Sequence, residues 1–132
     1  ADLRVAPASP GKAERLIPLL ACPNATLYVN LEEAGLLLQT QFKTARDAAL
    51  ALLERGAAEV LVTDGGNEAA HARPSGVITS TPPSVLVTRV TGAGDTFMAA
   101  HIAAEGRGEA PEDALETAQR AAANYVSGDI PA

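Results

Sequence analysis

Thr26-Leu27-Tyr28-Val29-Asn30-Leu31-Glu32-Glu33 is the stretch on which the fold turns. Its first four residues are β-branched, aliphatic or aromatic, the composition of a buried strand. The next four place a polar residue and two carboxylates where a helix would begin, and acidic side chains favour a helix N-terminus because its unpaired N–H groups carry positive partial charge. A strand that runs straight into a helix is half of a βαβ unit.

The pattern repeats on both sides. Upstream, Leu3 to Ala6 reads as a short strand, and Ser9-Pro10 opens a helix with Ala13, Leu16, Ile17 and Leu20 on one face, ended by Cys22-Pro23-Asn24. Downstream, Thr44 is the expected cap of a helix whose stripe is Ala48, Ala49, Leu52 and Leu53, with Gly56 as its stop. Val60 to Thr63 is the next strand, followed by the turn Asp64-Gly65-Gly66-Asn67. Residues 69 to 90 read as short strands broken at Pro74-Ser75-Gly76 and Pro82-Pro83. Ala110-Pro111 opens the last helix, with Glu112 and Asp113 in its first turn and Ala114, Leu115, Ala118, Ala121, Ala122, Tyr125 and Val126 on its apolar face. Alternating strands and helices imply an α/β fold with a mainly parallel sheet covered on both faces, and ligands of such sheets bind beyond the carboxyl ends of the strands. Without an internal repeat or a low-complexity linker, residues 1–132 read as a single α/β region.

Composition narrows the class. The chain has 132 residues, 47% hydrophobic and 20% charged, the profile of a globular domain. With aromatics at 3% and no tryptophan, aliphatic residues and alanine must fill the core. A net charge of −6 with scattered basic residues speaks against nucleic acid as partner. No run of about 20 apolar residues suggests a membrane span. One cysteine, Cys22, cannot form an internal disulfide and fits a cytoplasmic protein. His71 and His101 have no metal-ligand spacing with each other or with Cys22, so structural or surface roles are expected. Tyr28 and Phe97 read as core.

The richest chemistry lies at Thr91-Gly92-Ala93-Gly94-Asp95, which opens the helical run Thr96 to Glu105. Gly92 and Gly94 allow backbone angles that let consecutive N–H groups converge on an anion, and the helix dipole reinforces that site. Asp95 would then be placed to accept a proton. Taken alone, the same residues could form an ordinary turn with a capping Asp. Asn30 with Glu33, Thr63 with Gly65, and Thr91 to Asp95 all follow strands, so they would share one rim of the sheet.

In this order and at these separations, Thr91-Gly92-Ala93-Gly94-Asp95, Asn30-x-x-Glu33 and Thr63-x-Gly65 resemble the PfkB, ribokinase-like carbohydrate kinase family. The resemblance covers the family's C-terminal, nucleotide-binding portion. It implies a three-layer α/β/α fold and an ATP-dependent phosphotransferase acting on a sugar or nucleoside hydroxyl. By resemblance Asp95 is the general base, and Gly92, Ala93 and Gly94 are the anion hole. Asn30 and Glu33 would hold the water shell of Mg²⁺. Thr63, Gly65, Thr91 and Asn67 lie near the nucleotide phosphates, and Ala122, Ala123 and Val126 near adenine. A glycine usual three places beyond Gly65 is replaced by Glu68, with Gly66 nearby instead, which alters the expected turn. Arg89-Val90 stands where many members have Asp-Thr. This leaves dependence on a monovalent cation open, and together with the downstream Met98 gives a likeness to pseudouridine kinases.

The segment that supplies most sugar contacts and the lid in that family has no counterpart in the sequence, so the chain is expected to be a C-terminal part, inactive by itself. An uncovered sheet edge would predispose it to pair as a homodimer. The alternative from another class is a non-catalytic nucleotide-binding or dimerisation module of the same fold.

Overall fold

A computed structural model describes residues 3–6, 25–82 and 93–127. Among these residues five strands form one sheet in the order β1 (Leu3–Val5), β2 (Ala25–Asn30), β3 (Glu59–Thr63), β4 (Ala69–Arg73) and β5 (Gly76–Ser80). The helices are α1 (Leu31–Leu38), α2 (Ala45–Glu54), α3 (Ala93–Gly106) and α4 (Pro111–Ser127). The helix expected after Ser9-Pro10, Cys22, the Arg89-Val90 pair, Thr91 and Gly92 lie outside the described residues.

Strand alternation explains the two cores. Leu27 and Val29 of β2, Val60 and Val62 of β3, and Ala70 and Ala72 of β4 pack with Ala34 and Leu37 of α1 and Ala45, Ala48, Ala49 and Leu52 of α2. The intervening Tyr28 and Leu61 point the other way, into a smaller cluster with Phe97 of α3 and Leu115 and Ala118 of α4. Helices therefore cover both faces, as the strand-helix alternation implied. Alanines at the contacts let helix backbones approach the sheet closely. Gln119 of α4 donates from Nε2 to the Ser80 carbonyl at 2.7 Å, fastening α4 to the end of β5.

Among the described residues the sheet is mixed, its first three strands keeping the parallel arrangement expected of the fold. β1, β2 and β3 are parallel, whereas β3–β4 and β4–β5 are antiparallel. The physical reason lies in the connections. A parallel crossover needs a dozen or more residues, but only five separate β3 from β4, and the Pro74-Ser75 turn closes β4 onto β5 with Arg73 opposite Gly76. Gly76 has φ +147°, a conformation that favours glycine.

The local punctuation matches its sequence signals. Thr44 caps α2, its hydroxyl accepting from the Asp47 N–H at 3.1 Å. Gly56, at φ 109°, follows the end of that helix, and Pro111 is the first residue of α4.

Candidate active site

Asn30 ends β2, Thr63 ends β3, and the two are partners in the parallel register. The shared rim inferred from sequence is thus observed for these two turns. Asn30 then caps α1: its Oδ1 accepts from the Glu33 N–H at 2.7 Å, and Glu33 Oε1 accepts from the Asn30 N–H at 2.8 Å. This reciprocal capping box satisfies two backbone donors at once. The pair therefore does not project freely from one helical face. Each side chain already holds the other's backbone.

Glu33 is nevertheless more than a cap. It is buried, unlike its exposed neighbour Glu32, and burial raises its pKa above the ordinary carboxylate value. The Asn30 N–H opposes that rise, while the charges of Glu32 and Asp95 add to it. Asp95, on a different helix and 62 residues away in sequence, makes the smallest of these contributions. Among the described residues, the second oxygen of Glu33 makes no hydrogen bond.

Ala93, Gly94 and Asp95 are the first three residues of α3. Gly94 does not have positive φ, so its N–H belongs to a regular first helical turn and not to a left-handed nest. A Cβ added to Gly94 would meet nothing within 4 Å. The glycine leaves open space over the helix end, and both Gly94 and Asp95 are exposed.

After β3, Gly65 has φ +56° and sits in the turn that Asn67 closes, its N–H donating to the Asp64 carbonyl at 2.8 Å. Gly65, and not Gly66, is the position that requires left-handed backbone. The adenine candidates divide. Ala123 is buried and Ala122 packs against the Tyr28–Leu61–Phe97 cluster, so both serve the core under α4, while Val126 is half-buried near the end of that helix.

Sequence reasoning missed a polar network on the same face of the sheet. His71 of β4 and His101 of α3 are both fully buried, with ring centroids 5.2 Å apart and planes at 82°. His71 Nε2 lies 2.6 Å from Glu59 Oε2, and His101 Nδ1 lies 2.8 Å from the Tyr28 hydroxyl. Arg4 donates to that hydroxyl and pairs with Glu105. The available signal was periodicity: His71 alternates with Ala70 and Ala72, and His101 falls four residues after Phe97.

No helix among the described residues is long and apolar enough to cross a membrane. Nor do the described residues contain a group of three or more His, Cys, Asp or Glu that could hold a metal ion.

An α/β/α sandwich with a capped helix start at the end of β2 and a polar turn at the end of β3 belongs to the open α/β folds, whose ligands bind beyond the carboxyl ends of their parallel strands. The chain belongs to the pfkB family of carbohydrate kinases, whose family model matches residues 2–128. Its ribokinase-like architecture recurs in adenosine kinase from Sinorhizobium meliloti, with a TM-score of 0.83 and 21% identity over 98% of this chain and 40% of that one. Phosphofructokinase-2 from Escherichia coli is similar, with a TM-score of 0.80 and 22% identity over 95% of this chain and 41% of that one. A carbohydrate kinase from Agrobacterium tumefaciens gives a TM-score of 0.74 and 30% identity over 92% of this chain and 38% of that one. The chain thus spans about 40% of the length of these solved structures. No curated protein matches it.

Proposed function

We propose that this chain is the nucleotide-binding, catalytic part of an ATP-dependent kinase that phosphorylates a sugar or nucleoside hydroxyl. The observation that supports the reading is the pairing of Asn30 with Thr63 at one rim of the sheet, with Glu33 held to Asn30. Phosphoryl transfer needs positioning, charge neutralisation and a proton acceptor more than covalent chemistry, and this rim offers a residue for each.

Asp95, exposed in the first turn of α3, accepts the proton of the attacking hydroxyl. The N–H groups of Ala93 and Gly94, together with Gly92 just before them in sequence, bind the charge that develops on the transferred group. Thr63 and Gly65 approach the nucleotide phosphates at the end of β3, with Thr91 and Asn67 as further contacts. Asn67 has less freedom, being tied to Asp64. Val126 is the better of the adenine contacts, since Ala122 and Ala123 have only the surface their packing leaves.

Bound Mg-ATP would supply the phosphoryl group and the cation that neutralises it. The donor set suits Mg²⁺, which keeps several waters: one buried carboxylate with a spare oxygen, Asn30 beside it, and no closed protein cage among the described residues. A cytoplasmic setting and pairing with a second copy complete the reading.

In the full-length protein, Asp95→Asn is expected to lower kcat by roughly 10²-fold or more and to leave the KM for ATP within about twofold, because it removes a base and spares the anion site. Steady-state kinetics across pH check this. Equal turnover of variant and wild type at every pH would overturn the assignment.

A further inference from the structure

The network beneath α3 lies outside the proposed phosphoryl-transfer residues, yet it sits on the helix that carries one of them. Only Phe97, His101 and Ala104 of α3 are buried. α3 packs most extensively against α4, but toward the sheet Phe97 makes a non-directional apolar contact and Ala104 offers a single methyl, so neither of these fixes the helix on the strands against sliding along its axis or turning about it. His101 is different. Its Nδ1 lies 2.8 Å from the hydroxyl of Tyr28, in the middle of β2.

Arg4 of β1 can only donate, and it donates to the Tyr28 oxygen. We assign the phenolic proton to the His101 Nδ1 side, so that the imidazole accepts as a neutral ring and its buried Nε2–H has no hydrogen-bond partner among the described residues. The charged and titratable groups around it are Arg4 on β1, Tyr28 on β2, Glu59 on β3, His71 on β4 and Glu105 on α3. Glu105 Oε1 stands 3.6 Å from His101 Nδ1 and is held by Arg4. Burial pushes the His101 pKa down to about 4, with Glu105 opposing and His71 and Arg4 adding to the fall, which agrees with a neutral acceptor.

We propose that the Arg4–Tyr28–His101 relay is the positioning contact that sets where α3 lies on the sheet, and thereby where Asp95 and the Ala93–Gly94 amides lie at its N-terminus. Asp95 is six residues from His101, roughly 9 Å along a helix rising 1.5 Å per residue. A helix transmits an axial shift from one end to the other with little loss. Misplacement by about 1 Å is enough to reduce a transfer rate up to 10²-fold. The role in turnover rests on the kinase reading given above, while the role in placing α3 does not.

Two readouts keep these apart. In Tyr28→Phe the ring and its packing remain and only the hydroxyl is lost. Amide chemical shifts and hydrogen exchange of Ala93, Gly94 and Asp95 in the full-length protein are expected to change, with amides of α2, on the opposite face of the sheet, unchanged. At position 101, Asn places an acceptor where Nδ1 stands and Gln places one where Nε2 stands. His101→Asn should therefore keep wild-type shifts at Ala93–Asp95, and His101→Gln should resemble Tyr28→Phe. For turnover, Tyr28→Phe and His101→Gln are expected to lower kcat about tenfold with the KM for ATP within about twofold, and His101→Asn to stay within about threefold of wild type.

Unchanged shifts and exchange at Ala93–Asp95 in Tyr28→Phe would overturn the positioning role whatever the kinetics. Changed shifts with undiminished kcat would overturn the link to turnover. Perturbed shifts in a protein whose wild type transfers no phosphate would leave the positioning role standing and remove the kinase reading instead.

Discussion

Glu33 shows how one side chain can serve the fold and the site with different atoms. Its Oε1 closes the capping box with Asn30, and its carboxylate charge is the part that burial and Asp95 disfavour. A carboxyl whose folded pKa is raised favours folding below its unfolded value, and that contribution is lost as pH rises through the folded value. The charge of an ionised Glu33 is thus a local liability, of the kind kept where a cation is to be bound. Glu33→Gln keeps an oxygen to accept from the Asn30 N–H and removes the buried charge. The variant is expected to melt at or slightly above the wild-type temperature without ligand. It should lose most of the additional stabilisation given by Mg-ATP, which for the wild type at a hundredfold excess over Kd would be about 2.7 kcal/mol. Paired thermal melts with and without Mg-ATP decide it; an undiminished shift in the variant would remove Glu33 from the metal's neighbourhood.

At the scale of elements, the end of α1 illustrates what residue patterns reveal and what they hide. Thr44, Gly56 and Pro111 announced their helix ends because caps, stops and first-turn prolines are local chemistry. The end of α1 had no such mark. It finishes at Gln39 in the left-handed conformation, φ 53°, and the Gly35 carbonyl accepts the N–H groups of both Gln39 and Thr40. Gly35 is mid-helix, where alanine would ordinarily be preferred by about 1 kcal/mol. Here a Cβ would lie 2.8 Å from the Thr40 carbonyl oxygen, a backbone atom held by that same turn. Overpacking of this kind costs roughly 1–3 kcal/mol. Gly35→Ala is expected to be destabilising by about 1 kcal/mol net, lowering Tm by about 4 °C. Gln39→Gly, which relieves left-handed strain, should be neutral or stabilising. Calorimetry on both variants tests the pair, and a Gly35→Ala protein more stable than wild type would refute the close approach.

Across the whole molecule, the legible parts were those that follow from period and punctuation. Leu27, Val29, Val60 and Val62 declared buried strands, and Asn30, Thr63 and Asp95 declared polar strand and helix ends. The antiparallel half of the sheet was harder to read, since Ala69 to Arg73 is too alanine-rich to show a strand period. The histidine pair was only half legible: periodicity could place each residue on a buried face, but the partnership of His71 with His101 depends on how α3 lies on the sheet, a tertiary fact with no local signature. Burial of His101 gives the molecule a pH dependence of definite sign. His101, depressed to about 4 from an unfolded value of 6.5, contributes stability that is complete above about pH 6.5 and is lost as pH falls toward 4. Glu59, lowered chiefly by its hydrogen bond to His71, extends the loss below its ordinary value of 4.5. Glu33 works in the opposite sense, so net curves alone do not isolate the histidine. The informative quantity is the difference between wild type and His101→Asn, which retains the acceptor and cannot titrate. Urea midpoints measured from pH 7.5 to 4 should converge between the two proteins as pH falls, with the wild type losing stability faster below about pH 6.5. A constant difference over that range would mean that His101 takes up its proton as readily in the folded protein as in the unfolded chain, and that burial does not hold it neutral.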